Sequence, residues 1–178
     1  MRHQEVIGFW FSELSPKNWW QKDDALDTRI AERFGELHAS AVACELFGWR
    51  ESAEGRLAEI LVLDQFSRNI FRGTPRAFAA DPLALALAQE AVALDLGSSL
   101  EGDQRAFLYM PYMHSESRRV HEVAEQLFGT CSEQSLAFER KHKAIVDRFG
   151  RYPHRNAILG RRSTPEEEEF LRQAGSSF

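Results

Sequence analysis

Residues 57–73 read LAEILVLDQFSRNIFRG, a stretch with the spacing of a helix and apolar surface on two sides. At roughly 100° per residue, Val62, Leu63, Phe66 and Ile70 share one side, and Leu57, Ile60, Leu61 and Phe71 form a second stripe. Such a helix is predicted to be largely buried. The azimuth of Leu57 and Leu61 continues into Asp64 and Arg68, and Gln65, Asn69 and Arg72 widen that strip into a polar patch. Asp64 and Arg68 are spaced to pair along the helix. Polar groups on a buried helix must be satisfied by neighbours or presented to a ligand.

Outward from this stretch the punctuation is helical. Residues 3–14 give a short amphipathic helix stopped at Ser15-Pro16. Asp23 or Asp24 caps a long helix carrying Ile30, Phe34, Leu37 and Ala41, predicted to run out near Gly48. Ser52 caps the central helix, and Gly73 sits where a left-handed terminating residue belongs. Asp81-Pro82 reads as a cap with proline at the first helical position, and Gly97 as the end of that helix. Asp103 opens a segment that Pro111 is expected to kink or stop. Further helices are predicted from about Glu116 to Gly129, from about Ser132 to Gly150, and from Ser163-Thr164-Pro165 onward. No run alternates long enough for a strand, and no domain-scale linker or strict repeat is visible. The expectation is a single all-α domain over residues 1–178, a bundle or a stack of helix pairs.

With 178 residues, the chain is long enough to bury on the order of 70% of its unfolded surface. Its 43% hydrophobic and 28% charged residues are ordinary for a globular protein. A net charge of −5 argues against nucleic acid or an anionic membrane as general partner. No segment approaches the ~20 apolar residues of a membrane span, and VIGFWF is too short for a signal peptide, so a cytoplasmic location is expected. Cys44 and Cys131 lack CxxC spacing and read as small buried thiols in a reducing compartment. The four tryptophans read as packing residues. Exposed apolar surface near Trp19 and Trp20 leaves dimer formation open.

Three ordered motifs, LDQFSRNIFRGTPRAFAADPLALALA (63–88), FLYMPYMHSE (107–116) and RFGRYPHRNAILGRRSTPEE (148–167), together with the FWF and WW of the N-terminal part and the GSSF ending, resemble the bacterial DUF924 family over nearly the full length. That resemblance implies antiparallel helix pairs stacked into a right-handed superhelix like that of tetratricopeptide repeats. It implies no reaction.

Three groups of residues are candidates for chemistry. In the polar patch, Gln65, Arg68, Asn69 and Arg72 can bind a ligand or bridge to neighbouring helices; arginine suits a carboxylate or phosphate because its planar fork pairs two oxygens. His114, oriented by Glu116, can act as a general acid or base with Asp64 or Glu116 as its partner, or serve as a packing histidine. The basic turn 148–162, with Arg148, Arg151, His154, Arg155, Asn156, Arg161 and Arg162, reads as an anion-recognition loop or as a solvated charged one. The carboxylate of Phe178 is a further possible internal anion for it. No metal site is expected, because His114, His142 and His154 have no short ligand spacing. No elbow, P-loop or dinucleotide fingerprint points to a cofactor or to covalent catalysis. The leading expectation is a binding module for an anionic small molecule or peptide carboxylate. The alternatives are a metal-independent hydrolytic or proton-transfer enzyme and a purely structural role for the polar motifs.

Overall fold

The computed structural model describes residues 2–176, and among these every regular element is helical. In chain order the α-helices are α1 (His3–Gly8), α2 (Pro16–Trp20), α3 (Asp24–Val42), α4 (Ala53–Leu61), α5 (Ser67–Ile70), α6 (Asp81–Ala93), α7 (Gly102–Met113), α8 (Arg118–Gly129), α9 (Glu133–Phe149) and α10 (Pro165–Leu171). Helices α6 to α9 each pack on the next, while α4 lies against α1, α6 and α7. No helix among the described residues is long and apolar enough to cross a membrane.

Caps fix several starts. Asp23 accepts from the amides of Ala25 and Leu26, and Ser52 from that of Gly55. Thr164 and Glu167 form a reciprocal capping box on α10. Gly150 ends α9 with φ +70°, a conformation that favours glycine.

Other boundaries differ from the sequence reading. Helix α3 stops at Val42, because Cys44 takes a positive φ of 60° and the chain turns before the 3-10 turn Phe47–Glu51. Asp81 lies in the first turn of α6 after Ala80, and its carboxylate holds arginines rather than capping the helix. That helix ends at Ala93, short of Gly97, whose Cα lies against the Tyr109 hydroxyl. Gly73 has the left-handed φ of +76° but follows α5 by several residues. Pro111 sits inside α7, which ends at Met113: the missing N–H removes one ladder bond without stopping the helix at once. The next helix begins at Arg118, not Glu116, whose carboxylate is engaged elsewhere.

The stretch 57–73 is not one regular helix. Between α4 and α5, Val62–Phe66 forms a wider π-helical turn. Such turns interrupt the 100° progression and often accompany functional sites. Ser67 supports the break by donating its hydroxyl to the Leu63 carbonyl at 2.6 Å. The same oxygen lies 2.7 Å from His38 Nε2, which therefore donates to it. As predicted, Leu57, Ile60, Leu61, Val62, Leu63 and Phe66 are fully buried. Phe66 packs on Phe9 and Phe34 with centroids 6.0 and 4.8 Å away, and Trp10 joins it to Phe107. Trp20 departs from the packing role expected of the tryptophans, being 64% exposed. Both cysteines are free thiols, and Cys44 is exposed rather than buried.

Close approach of α4 to the preceding turn gives a sharp test. A Cβ on Gly55 lies 2.0 Å from the backbone oxygen of Trp49, whereas one on Gly35 meets nothing within 4 Å. Gly55→Ala is expected to destabilise by about 1–3 kcal/mol through overpacking. Gly35→Ala, in the middle of α3, should stabilise by roughly 0.5–1 kcal/mol through helix propensity. Urea denaturation of the two variants reads the contrast.

Candidate functional site

The π-helical turn places Asp64 at the centre of an ion web. The residue is 1% exposed, and three side chains converge on its carboxylate. His114 Nδ1 lies 2.7 Å from Oδ1, Arg68 Nη1 lies 3.1 Å from the same oxygen, and Gln65 Nε2 donates to Oδ2 at 2.6 Å. Arg68 also donates to the Asp64 carbonyl at 2.7 Å and grips Asp81 with both terminal nitrogens, at 2.9 and 3.0 Å. Burial pushes the Asp64 carboxyl upward, but the Arg68 charge and the His114 and Gln65 bonds outweigh it and hold the group well below the usual carboxylate range.

An ionised carboxylate only accepts, so His114 must donate Nδ1–H to Asp64. Burial and the Arg68 charge lower the imidazole's affinity for a second proton, against the pull of Asp64. The histidine is therefore neutral at pH 7, with its unprotonated nitrogen at Nε2. That nitrogen carries no hydrogen bond from a described residue, and His114 lines a pocket of about 350 Å³. Its lining is largely apolar, with Pro75, Phe78, Pro82, Leu85, Pro111 and Leu159, and Asp81, His114, Ser115, Glu116 and Arg155 supply its polar groups.

The backbone under His114 is held as firmly as the ring. Carbonyls at a helix C-terminus lack intrahelical donors, and here three consecutive ones are met by side chains. Tyr152 Oη donates to Met113 O at 2.5 Å, Arg155 Nη2 to His114 O at 3.0 Å, and His121 Nε2 to Ser115 O at 2.8 Å. His121 is steadied through Nδ1 by Glu139 at 2.6 Å, and both residues are 0% exposed. Burial raises the Glu139 carboxyl above its ordinary value despite the His121 bond. Sequence reasoning missed Tyr152, His121 and Glu139, which bear no short-range motif.

The predicted site residues separate into three places. Asp64, Gln65, Arg68, His114, Glu116 and Arg155 gather at or behind the pocket. Asn69 and Arg72 belong to the next row of the helix and turn to α3, where both bond Asp27, Asn69 at 2.7 Å and Arg72 Nη2 at 2.8 Å. The polar patch is thus two patches. Glu116 does not orient His114. It accepts from the Tyr152 amide at 2.7 Å and from both terminal nitrogens of Arg161 at 2.6 and 2.9 Å.

The basic turn is answered by acids, chiefly from α10. Arg151 pairs with Glu167 through two 2.7 Å bonds, and Arg148 with Glu166 at 2.8 Å. Asn156 bridges Arg161, Ser163 and Glu167. Of this loop's predicted ligand contacts, only Arg155 lines the pocket; the His154 ring lies against Tyr152, with centroids 5.5 Å apart. The Phe178 carboxylate lies outside the described residues. Among the described residues no three His, Cys, Asp or Glu side chains group as metal ligands.

Fold and site together define an all-α protein with a buried carboxylate–histidine pair at the end of an apolar-walled pocket. The chain belongs to the DUF924 family, bacterial proteins of unknown function, whose model matches residues 6–175. It is similar to a solved protein of unknown function from Agrobacterium tumefaciens, at 40% identity over 96% of each chain and a TM-score of 0.91. No curated protein matches it.

Proposed function

We propose that the chain is a metal-independent enzyme of hydrolytic or proton-transfer type, with His114 as the general base. Asp64 is its positioning residue. One observation carries the reading: the Nδ1–H of a neutral imidazole is committed to a buried carboxylate, so the basic Nε2 is the nitrogen left for a molecule in the pocket. The proton accepted there comes from a bound molecule or from an attacking water. Arg68 and Gln65 fix the carboxylate, and the three carbonyl contacts fix the helix end that carries the histidine.

Binding without turnover is the second reading, with an anionic small molecule or peptide carboxylate as ligand. The absence of a hydrogen-bonded nucleophilic side chain at Nε2 among the described residues favours it.

A pH-indicator assay over a panel of esters, amides and lactones tests the first reading. His114→Gln should cut turnover by roughly 10²–10⁴-fold while moving the melting temperature little, since Arg68 and Gln65 still satisfy Asp64. Activity of the unmodified chain should fall as pH drops through a His114 value below 6.5. Equal turnover by both proteins would remove His114 from the chemistry.

A further inference from the structure

We propose that the molecule this pocket takes is a monocarboxylate with an apolar body, its carboxylate paired with Arg155 and its body against Phe78, Pro82, Leu85 and Leu159. The proposal rests on the reading that a small molecule binds here, and it names that molecule's class.

Arg155 is the least compensated charge of the site. It is 6% exposed, and its Nε is buried without a hydrogen-bond partner among the described residues. Its Nη2 is spent on a neutral carbonyl, that of His114. Its Nη1 has only a 3.4 Å contact with Asp81, an aspartate already gripped at two points by Arg68. The rings of Phe78 and Tyr152 lie 4.6 and 4.7 Å from its guanidinium carbon, which confines the open N–H groups to the edge of the fork. A buried guanidinium left in this state favours an anion, and the planar match is a carboxylate.

The charge balance limits the ligand to one negative charge. Three carboxylates, Asp64, Asp81 and Glu116, already face three guanidinium groups, Arg68, Arg155 and Arg161, and Asp81 and Glu116 line the pocket itself. A phosphate dianion would meet both lining carboxylates with only the open edge of Arg155 to hold it. The apolar lining sets the body: Pro75, Pro82 and Pro111 supply no backbone N–H, so this surface has few donors for a polar substituent. Because Arg155 itself holds the His114 carbonyl, the carboxylate end and the basic nitrogen are neighbours. The bond acted on therefore lies near the acid group, not at the far end of the body.

The test uses the full chain with 3-phenylpropionate, 3-phenylpropanamide and 2-phenylethyl phosphate as probes, read by calorimetry and melting temperature. The acid should bind saturably, and the amide and the phosphate roughly ten- to a hundredfold more weakly, since a charge-assisted bond is lost in one and carboxylate repulsion added in the other. Arg155→Gln should bring acid and amide to parity, and Arg155→Lys should keep part of the preference. Equal binding of acid and amide by the unmodified chain, tighter binding of the phosphate, or no binding of the acid overturns the proposal, and none of these needs a variant that folds. Equal turnover of the ester panel by His114→Gln would overturn the base assignment, while the acid-over-amide preference of the unmodified chain would leave the ligand class standing.

Discussion

Asp64→Ala is expected to cost about 3–5 kcal/mol of stability, as much as truncating a large buried aromatic of the core. The mechanism is not loss of one good contact. Removing the carboxylate strands the Arg68 guanidinium, leaves Gln65 Nε2 without its acceptor, and strips His114 of the group that fixes its tautomer. Asp81 remains to Arg68, which keeps the loss finite. If the stranded charge is the cause, the double variant Asp64→Leu with Arg68→Met should recover part of the loss, because a buried ion pair replaced whole by apolar groups is often neutral or stabilising. Asp64→Asn separates function from folding: it keeps the shape, weakens the Arg68 pairing and releases the imidazole from one tautomer. Turnover should then fall by roughly 10²–10⁴-fold with a smaller loss of stability. Urea midpoints for the four proteins decide the matter. An Asp64→Ala variant within about 1 kcal/mol of the unmodified chain would show that the buried charge is not the centre of the web.

Mild acid should destabilise the protein before its carboxylates are protonated. Burial holds His142 at about 3, and burial with the Arg155 charge holds His154 at about 4, against an ordinary value of 6.5. His38 and His114 are shifted in the same direction, each chiefly by burial. As pH falls below about 6.5 the unfolded chain takes up protons that the folded chain refuses, so stability declines through this window and levels off only near the folded values. From pH 7 to pH 5, His142 and His154 together should cost about 3 kcal/mol, allowing for the partial exposure of His154. Glu139 opposes this, since its raised value lets the folded state hold a proton above about 4.5. A second decline follows below about pH 4, where Asp64, Glu116 and Glu167, the last held at about 2 chiefly by Arg151, lose their stabilising charge. Urea unfolding across this range reads both limbs, and His142→Gln should flatten the first. Stability that is level from pH 7 to pH 5 would contradict the assignment of buried neutral histidines.

What could be read from the sequence follows a physical division. The all-α class was legible because apolar spacing, caps at Asp23, Ser52 and Thr164, and a left-handed Gly150 are local signals. The pairing of Asp64 with Arg68 was legible for the same reason, since both lie on one helical row. The His114 bond spans 50 positions and has no local signature, so sequence reasoning gave the orienting role to the adjacent Glu116 and named Asp64 only as an alternative acid–base partner. Counting basic residues from Arg148 to Arg162 suggested an anion-binding loop, but the acids of α10 fold back on it; spacing does not reveal which charges will neutralise each other. Tyr152 and His121 were invisible because they act on backbone carbonyls, a role that leaves no pattern in side-chain type, and Glu139 because it acts through His121, 18 positions away. Asn69 and Arg72 were read as one patch with Gln65 and Arg68 because extrapolation at a constant angle runs past the π-helical turn, although bridging to a neighbouring helix, as they do to Asp27, was among the readings.

That turn also bears on how such a chain tolerates change. The wider turn holds one more residue than an α-helical turn would. Loss of one residue there, Asp64 and Gln65 apart, would relax the segment into an ordinary helix and leave Ser67 and Arg68 near their present azimuth, because the wider turn absorbs the extra residue. A deletion in the flanking α-helical turn of α4 would instead swing everything after it by about 100°, carrying Arg68 away from Asp81 and Ser67 away from His38. Changes of length are therefore barred from the regular turns and absorbed by the irregular one.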